Sequence, residues 1–218
     1  MRIRYGQRSA RPRKLQHLIS SSDAISNFFR VESTAITVPY AAIRDPIREN
    51  RGFADLRGEP DKAQYIAEGN AFSALQQLLF RIAQAGSPIF SLGCDIGAHV
   101  EFARARQYRQ VSGGYIQVAC RDYVHAKREA YAAFANAVVA AVKPRAGRDY
   151  WEVEFVGQMV NFQFAGEPNG VYPSLTIWFF AAARTPVAAV QSRERLIEAI
   201  DEATILPGAL DSFGSVAC

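Results

Sequence analysis

The chain has 218 residues, 49% hydrophobic and 21% charged, a balance that excludes wholesale disorder and a long coiled coil and is large enough for a core without disulfide or metal. Its net charge of +4 is not spread: Arg2, Arg4, Arg8, Arg11, Arg13 and Lys14 all precede the first acid, Asp23, so that stretch carries +6 and leaves −2 for the remainder. A body so close to neutrality is poor evidence for the basic groove of a nucleic-acid-binding domain and leaves phosphate contacts to the arm.

In chain order, residues 1–22 read as a basic arm with one short helix after Pro12, and residues 23–218 as a single α+β domain. An arm of this kind is ordinarily a solvated terminus. No apolar run of signal-peptide length follows it, and no stretch approaches the roughly 20 apolar residues that cross a bilayer. The three cysteines, Cys94, Cys120 and Cys218, form no C-x-x-C pair, which fits a reducing compartment. The expectation is a cytoplasmic protein.

Asp23 caps a turn of helix carrying Ile25, Phe28 and Phe29. The β-branched alternation over 34–38 predicts a strand ending at Pro39. Residues 41–60 read as a long loop punctuated by Pro46, Gly52, Gly58 and Pro60, and loops of that length are usually functional or mobile. Helical spacing of Ala63, Ile66, Ala74, Leu78 and Ile82 predicts a helix over 61–84, with Gly69 marking a close backbone approach. Residues 88–93 read as a buried strand, Gly113–Gly114 as a turn and 115–121 as a strand. Asp122 then caps a helix to about Lys143, with Val124, Tyr131, Phe134, Val138 and Val142 on its apolar stripe. Trp151, Val153 and Phe155 alternate with polar residues, and after Gly157 the phase passes to Val160, Phe162 and Phe164. That change implies a β-bulge or a tight hairpin at Gly157. Residues 175–183 are apolar on both faces, as in a central strand. Thr185–Pro186 starts a last helix, with Leu196, Ile197 and Ile200 inside and Arg193, Glu194 and Glu198 outside.

The predicted order after the arm and first strand is therefore αββαββα. It fits a mixed, mostly antiparallel sheet with helices on one face and excludes a doubly wound nucleotide-binding fold.

Two places concentrate reactive or charged groups. Asp95, His99 and Glu101, beside Cys94, follow a buried strand and offer an acid–base pair or metal-ligand types. They show no recognised metal spacing, so no metal or cofactor is expected. The loop residues Arg44, Asp45, Arg48, Glu49, Arg51, Asp55 and Arg57 mix both signs and suit a protein contact that steers encounter. Asp122, His125 and Glu129 read as a solvated helix face. The carboxylates Asp149, Glu152 and Glu154 lack the lysine that a nuclease site of that type requires. No nucleophile elbow or phosphate loop is present. The sequence thus favours a non-catalytic domain that binds another protein, such as an immunity or adaptor protein. The alternative is a hydrolase-type enzyme on a small molecule, metal-assisted or not, that uses Asp95, His99 and Glu101.

Overall fold

The computed structural model describes residues 29–30, 36–44, 49–70, 73–97, 110–145, 150–206 and 213. The arm and the predicted helix turn at Asp23 lie outside them, apart from Phe29, which stands in a strand. The elements are β1 (Phe29–Arg30), β2 (Ile36–Val38), β3 (Ile43–Arg44), β4 (Glu49–Asn50), a 3-10 helix (Pro60–Tyr65), α1 (Ala67–Asn70), α2 (Ser73–Ala83), β5 (Ile89–Ile96), β6 (Gln110–Cys120), α3 (Arg128–Arg145), β7 (Tyr150–Phe162), β8 (Gly170–Ala183) and α4 (Pro186–Ala203). This is an α+β fold. Among the described residues from 60 onward, three short helical segments precede two strands, a helix, two more strands and a last helix. Among the described residues no helix is long and apolar enough to cross a membrane.

The main sheet has the order β1-β7-β8-β6-β5, with β2 also on β7. β1 and β2 lie parallel to β7; the other neighbours are antiparallel. The central place of β8 explains why 175–183 is apolar on both faces. β3 and β4 form a separate two-stranded ribbon.

Strand alternation sends each side chain to one of two cores. Ile116, Val118, Phe155, Leu175, Ile177 and Phe179 face α2, α3 and α4 and form the larger core. The opposite face carries a smaller core of Phe90, Leu92, Ala119, Tyr123, Val160, Phe162 and Phe164, packed against Tyr40 and Phe53. This second core corrects the reading of Gly157. β7 pairs with β8 in one unbroken register from Tyr150↔Ala182 to Phe162↔Gly170, so there is neither bulge nor hairpin. The phase of its apolar residues changes because the cover changes. Trp151, Val153 and Phe155 pack toward the helices, whereas Val160 and Phe162 belong to the far core.

Three more expectations are revised. Gly113 and Gly114 are inside β6, not in a turn: a Cβ on Gly114 would collide with the Asp95 carbonyl oxygen, and one on Gly113 with the Phe180 ring. The helix predicted over 61–84 is in three pieces. Ile66 is extended (φ −74°, ψ 117°) and ends the 3-10 helix, and Gly69 and Asn70 are weak helix formers. α3 begins only at Arg128, because Tyr123 is drawn to the far face. Its ring stacks on Phe162 at 4.5 Å, and its hydroxyl donates to Glu167 Oε2 and the Pro168 carbonyl, both at 3.1 Å. The chain must cross the sheet end before its helix can start. Asp122 and His125 meet in that exposed turn at 2.9 Å.

Arg193 also departs from its expected outer position. It is 2% exposed, donating to Ser112 Oγ at 2.9 Å and to Glu194 Oε1 at 2.8 Å. Glu194 in turn accepts from the Ala74 amide at 3.4 Å. Buried guanidinium groups are tolerated only when paired in this way.

Candidate functional site

β5 is the last strand of the sheet, and among the described residues no strand pairs with its outer edge. The chain wraps this edge from both sides. Residues 40–43 and 51–54 approach from the far face and residues 65–68 from the helix face, leaving a cleft of about 460 Å³ floored by Ser91 to Asp95.

The first wall is held by local chemistry. Tyr40 and Phe53 pack edge to face with ring centres 6.0 Å apart, and the Phe53 amide donates to the Tyr40 carbonyl at 3.0 Å. Gly52 permits this closure, because its φ of 87° lies where other residues are strained and a Cβ would stand 2.9 Å from the Ala42 nitrogen. The Tyr40 hydroxyl donates to the Leu92 carbonyl at 3.3 Å. Leu92 stands at a register shift in β5, and irregularities of this sort are common at sheet edges. The second wall is Tyr65, Ile66, Ala67 and Glu68. At the mouth Ile43 is 51% and Tyr65 76% exposed.

The floor is acidic. Burial pushes the Asp95 carboxyl above its ordinary value and the charge of Glu68 adds to this, against one hydrogen bond from the Ile96 amide. Burial, with the charges of Glu68 and Asp95, pushes the Cys94 thiol up to about 12. The thiol is therefore neutral at physiological pH and is no nucleophile. Among the described residues no ion pair neutralises Asp95 or Glu68. Arg51 also lines the cleft and is exposed.

The structure brings together only part of the predicted groups. Asp95 is in the cleft, inside β5 rather than in a loop after it, opposite Tyr115 of β6. Cys94 points to the other face, toward the helices, so the two do not fold back on each other. His99 and Glu101 lie outside the described residues. Of the charged loop, Arg44 and Glu49 are register partners in the β3–β4 ribbon, and Asp45 and Arg48 lie outside the described residues. Arg51 reaches the cleft. Asp55 and Arg57 instead bond one another, at 2.7 Å, and Arg57 reaches Glu167 at 2.8 Å. Among the described residues no group of three His, Cys, Asp or Glu side chains is placed to hold a metal ion.

No protein-family model, curated protein or solved structure matches the chain. The site must therefore be read from its own chemistry. Sequence reasoning missed Glu68, Tyr40, Phe53, Tyr65 and Tyr115. They are scattered over 76 positions from Tyr40 to Tyr115, and only the wrapping of the β5 edge unites them. The one local signal was the glycine-punctuated loop over 41–60, which follows Tyr40 and carries Phe53.

Proposed function

We propose that this is a non-catalytic domain that binds another protein, as an immunity or adaptor protein does in the cytoplasm, and that it holds an extended segment of that partner along the β5 edge. The observation that carries the reading is a strand edge, at the floor of an open cleft, that no strand among the described residues pairs with. Such an edge offers backbone donors and acceptors to an added strand, while pockets beside it take alternate side chains. Exposed Ile43 and Tyr65 at the mouth supply apolar contact, and charges of both signs set orientation. Arg51 lines the cleft and Arg44 follows the lining residue Ile43 in the chain, which supports a contact surface that includes this part of the mixed-charge loop.

A photo-crosslinking residue at Tyr65, used in cells, tests this. We expect one discrete polypeptide adduct, lost on adding Ile43→Asp, and no adduct from the same residue at exposed Val171, which pairs with Asn161 near the start of β8 and does not line the cleft. Absence of an adduct at Tyr65 in folded protein, or equal labelling from Val171, overturns the proposal.

One observation favours a second reading. A carboxyl held above its ordinary range in a cleft is a pattern found in acid–base catalysts, so Asp95, with His99 and Glu101, would serve a hydrolase-type reaction. Turnover of a small ester or amide that is lost in Asp95→Asn and kept in His125→Ala would favour it.

A further inference from the structure

We propose that the cleft takes the cationic end of a single lysine or arginine carried on the partner's segment, between Glu68 and Asp95. This rests on the docking reading above and names the chemistry of the occupant.

Three observations converge on it. First, Glu68 and Asp95 both line the cleft and are both partly buried, and among the described residues no ion pair engages either. Two carboxylates held together and partly desolvated are unfavourable unless a positive charge joins them. Second, four of the lining residues are aromatic, Tyr40, Phe53, Tyr65 and Tyr115, among aliphatic ones such as Ile43, Ile66 and Leu92. Ring faces attract ammonium and guanidinium groups, and the long stems of those residues pack along apolar surface. Third, the space of about 460 Å³ is larger than one side chain, so the backbone bearing the cation also fits over the β5 edge.

The other ionisable groups restrict the occupant further. Cys94 stays neutral and adds no charge. Arg51 stands exposed at the cleft and repels a second cation, so it favours an acidic residue beside the basic one.

The test is an amide-resolved NMR titration of the full chain with the blocked pentapeptide acetyl-Ala-Ala-Lys-Ala-Ala-amide, its norleucine isostere, and butylamine. The lysine peptide should shift Glu68, Cys94, Asp95 and Tyr115 saturably. The norleucine peptide should bind about tenfold more weakly, as loss of one charge-assisted contact implies. Asp95→Asn and Glu68→Gln should each weaken the lysine peptide about fivefold, with both variants melting no lower than the parent. Equal binding of the norleucine peptide, or binding unaffected by both substitutions, overturns the inference. So does butylamine acting as strongly as the peptide, which would mark a small-amine pocket. The two proposals fail separately. A Tyr65 adduct that survives in the Glu68→Gln/Asp95→Asn double variant removes the cation and leaves the docking edge, whereas a missing adduct in the parent removes the docking itself.

Discussion

The guanidinium of Arg57 lies 4.1 Å from the centre of the Phe164 ring and 4.9 Å from that of Phe90, with its edge turned to carboxylates. Nε and Nη2 donate to the two oxygens of Asp55 at 2.9 and 2.7 Å, and Nη1 donates to Glu167 at 2.8 Å. Burial disfavours the charge, but the bonds to Asp55 and Glu167 outweigh it and hold the group firmly protonated. One side chain thus fastens the 55–57 loop, the turn at Glu167 and the small core together. Lysine cannot copy this, because it lacks the planar fork and the stacking surface. Arg57→Ala should cost about 2–3 kcal/mol of stability, below the full cost of breaking a buried pair because Asp55 and Glu167 keep contact with water. Arg57→Lys should recover less than half of that in urea denaturation. A loss under about 0.5 kcal/mol, the range of an ordinary surface pair, would show that the cluster does not hold the loop.

At the scale of elements, Tyr131 ties α3 to the sheet. Its hydroxyl donates to the Pro173 carbonyl at 2.7 Å and accepts from the Cys120 amide at 2.9 Å, so it satisfies one buried backbone group at the end of β6 and one in β8. Tyr131→Phe keeps the packing and orphans both, which should cost about 2–4 kcal/mol. Amide exchange should quicken first at Cys120. Unchanged protection there would mean that water replaces the hydroxyl. The apolar stripe of α3, with Tyr131 and Phe134 in it, was legible because 3.6-residue periodicity depends on the chain's own neighbours. So was the central place of β8, apolar on both faces. The phase change in β7 was visible too, but its cause was not. A bulge and a change of cover leave the same pattern in sequence, and only the neighbours of Phe155 and Phe162 separate them. Asp95 was legible as a polar residue next to a buried strand. Glu68 was not, because it lies off the apolar spacing of the predicted 61–84 helix, and it lines the cleft just after the break at the extended Ile66.

At the scale of the whole molecule, one sheet serves two covers. The helices enclose a large core on one face, and loops anchored by aromatic rings enclose a small one on the other. The candidate cleft opens where the two covers meet, around the β5 edge that no described strand pairs with. The anchoring cluster and the cleft each hold a carboxylate, and their titrations oppose one another. For Asp55, desolvation works toward a higher value, but the hydrogen bonds and charge of Arg57, with the charge of Arg121, outweigh it and hold the carboxyl below its ordinary 3.8. The stability it contributes is fully present above 3.8 and is lost as pH falls through the lower folded value. Asp95 is raised above 3.8 by burial and Glu68. The folded state takes up its proton more readily than the unfolded chain, so this group favours folding at low pH and that advantage is lost as pH rises through the higher folded value. Asparagine imitates the protonated acid at either position. Asp55→Asn should therefore lower the melting temperature at pH 7, with the deficit shrinking toward pH 3. Asp95→Asn should raise it at pH 7, with the gain shrinking over the same range, while it weakens the lysine peptide. A substitution that stabilises the fold and impairs binding is the signature of a group kept for its ligand. A melting temperature lowered at pH 7 by Asp95→Asn would show that this carboxylate has a stabilising structural partner and is not held for a ligand.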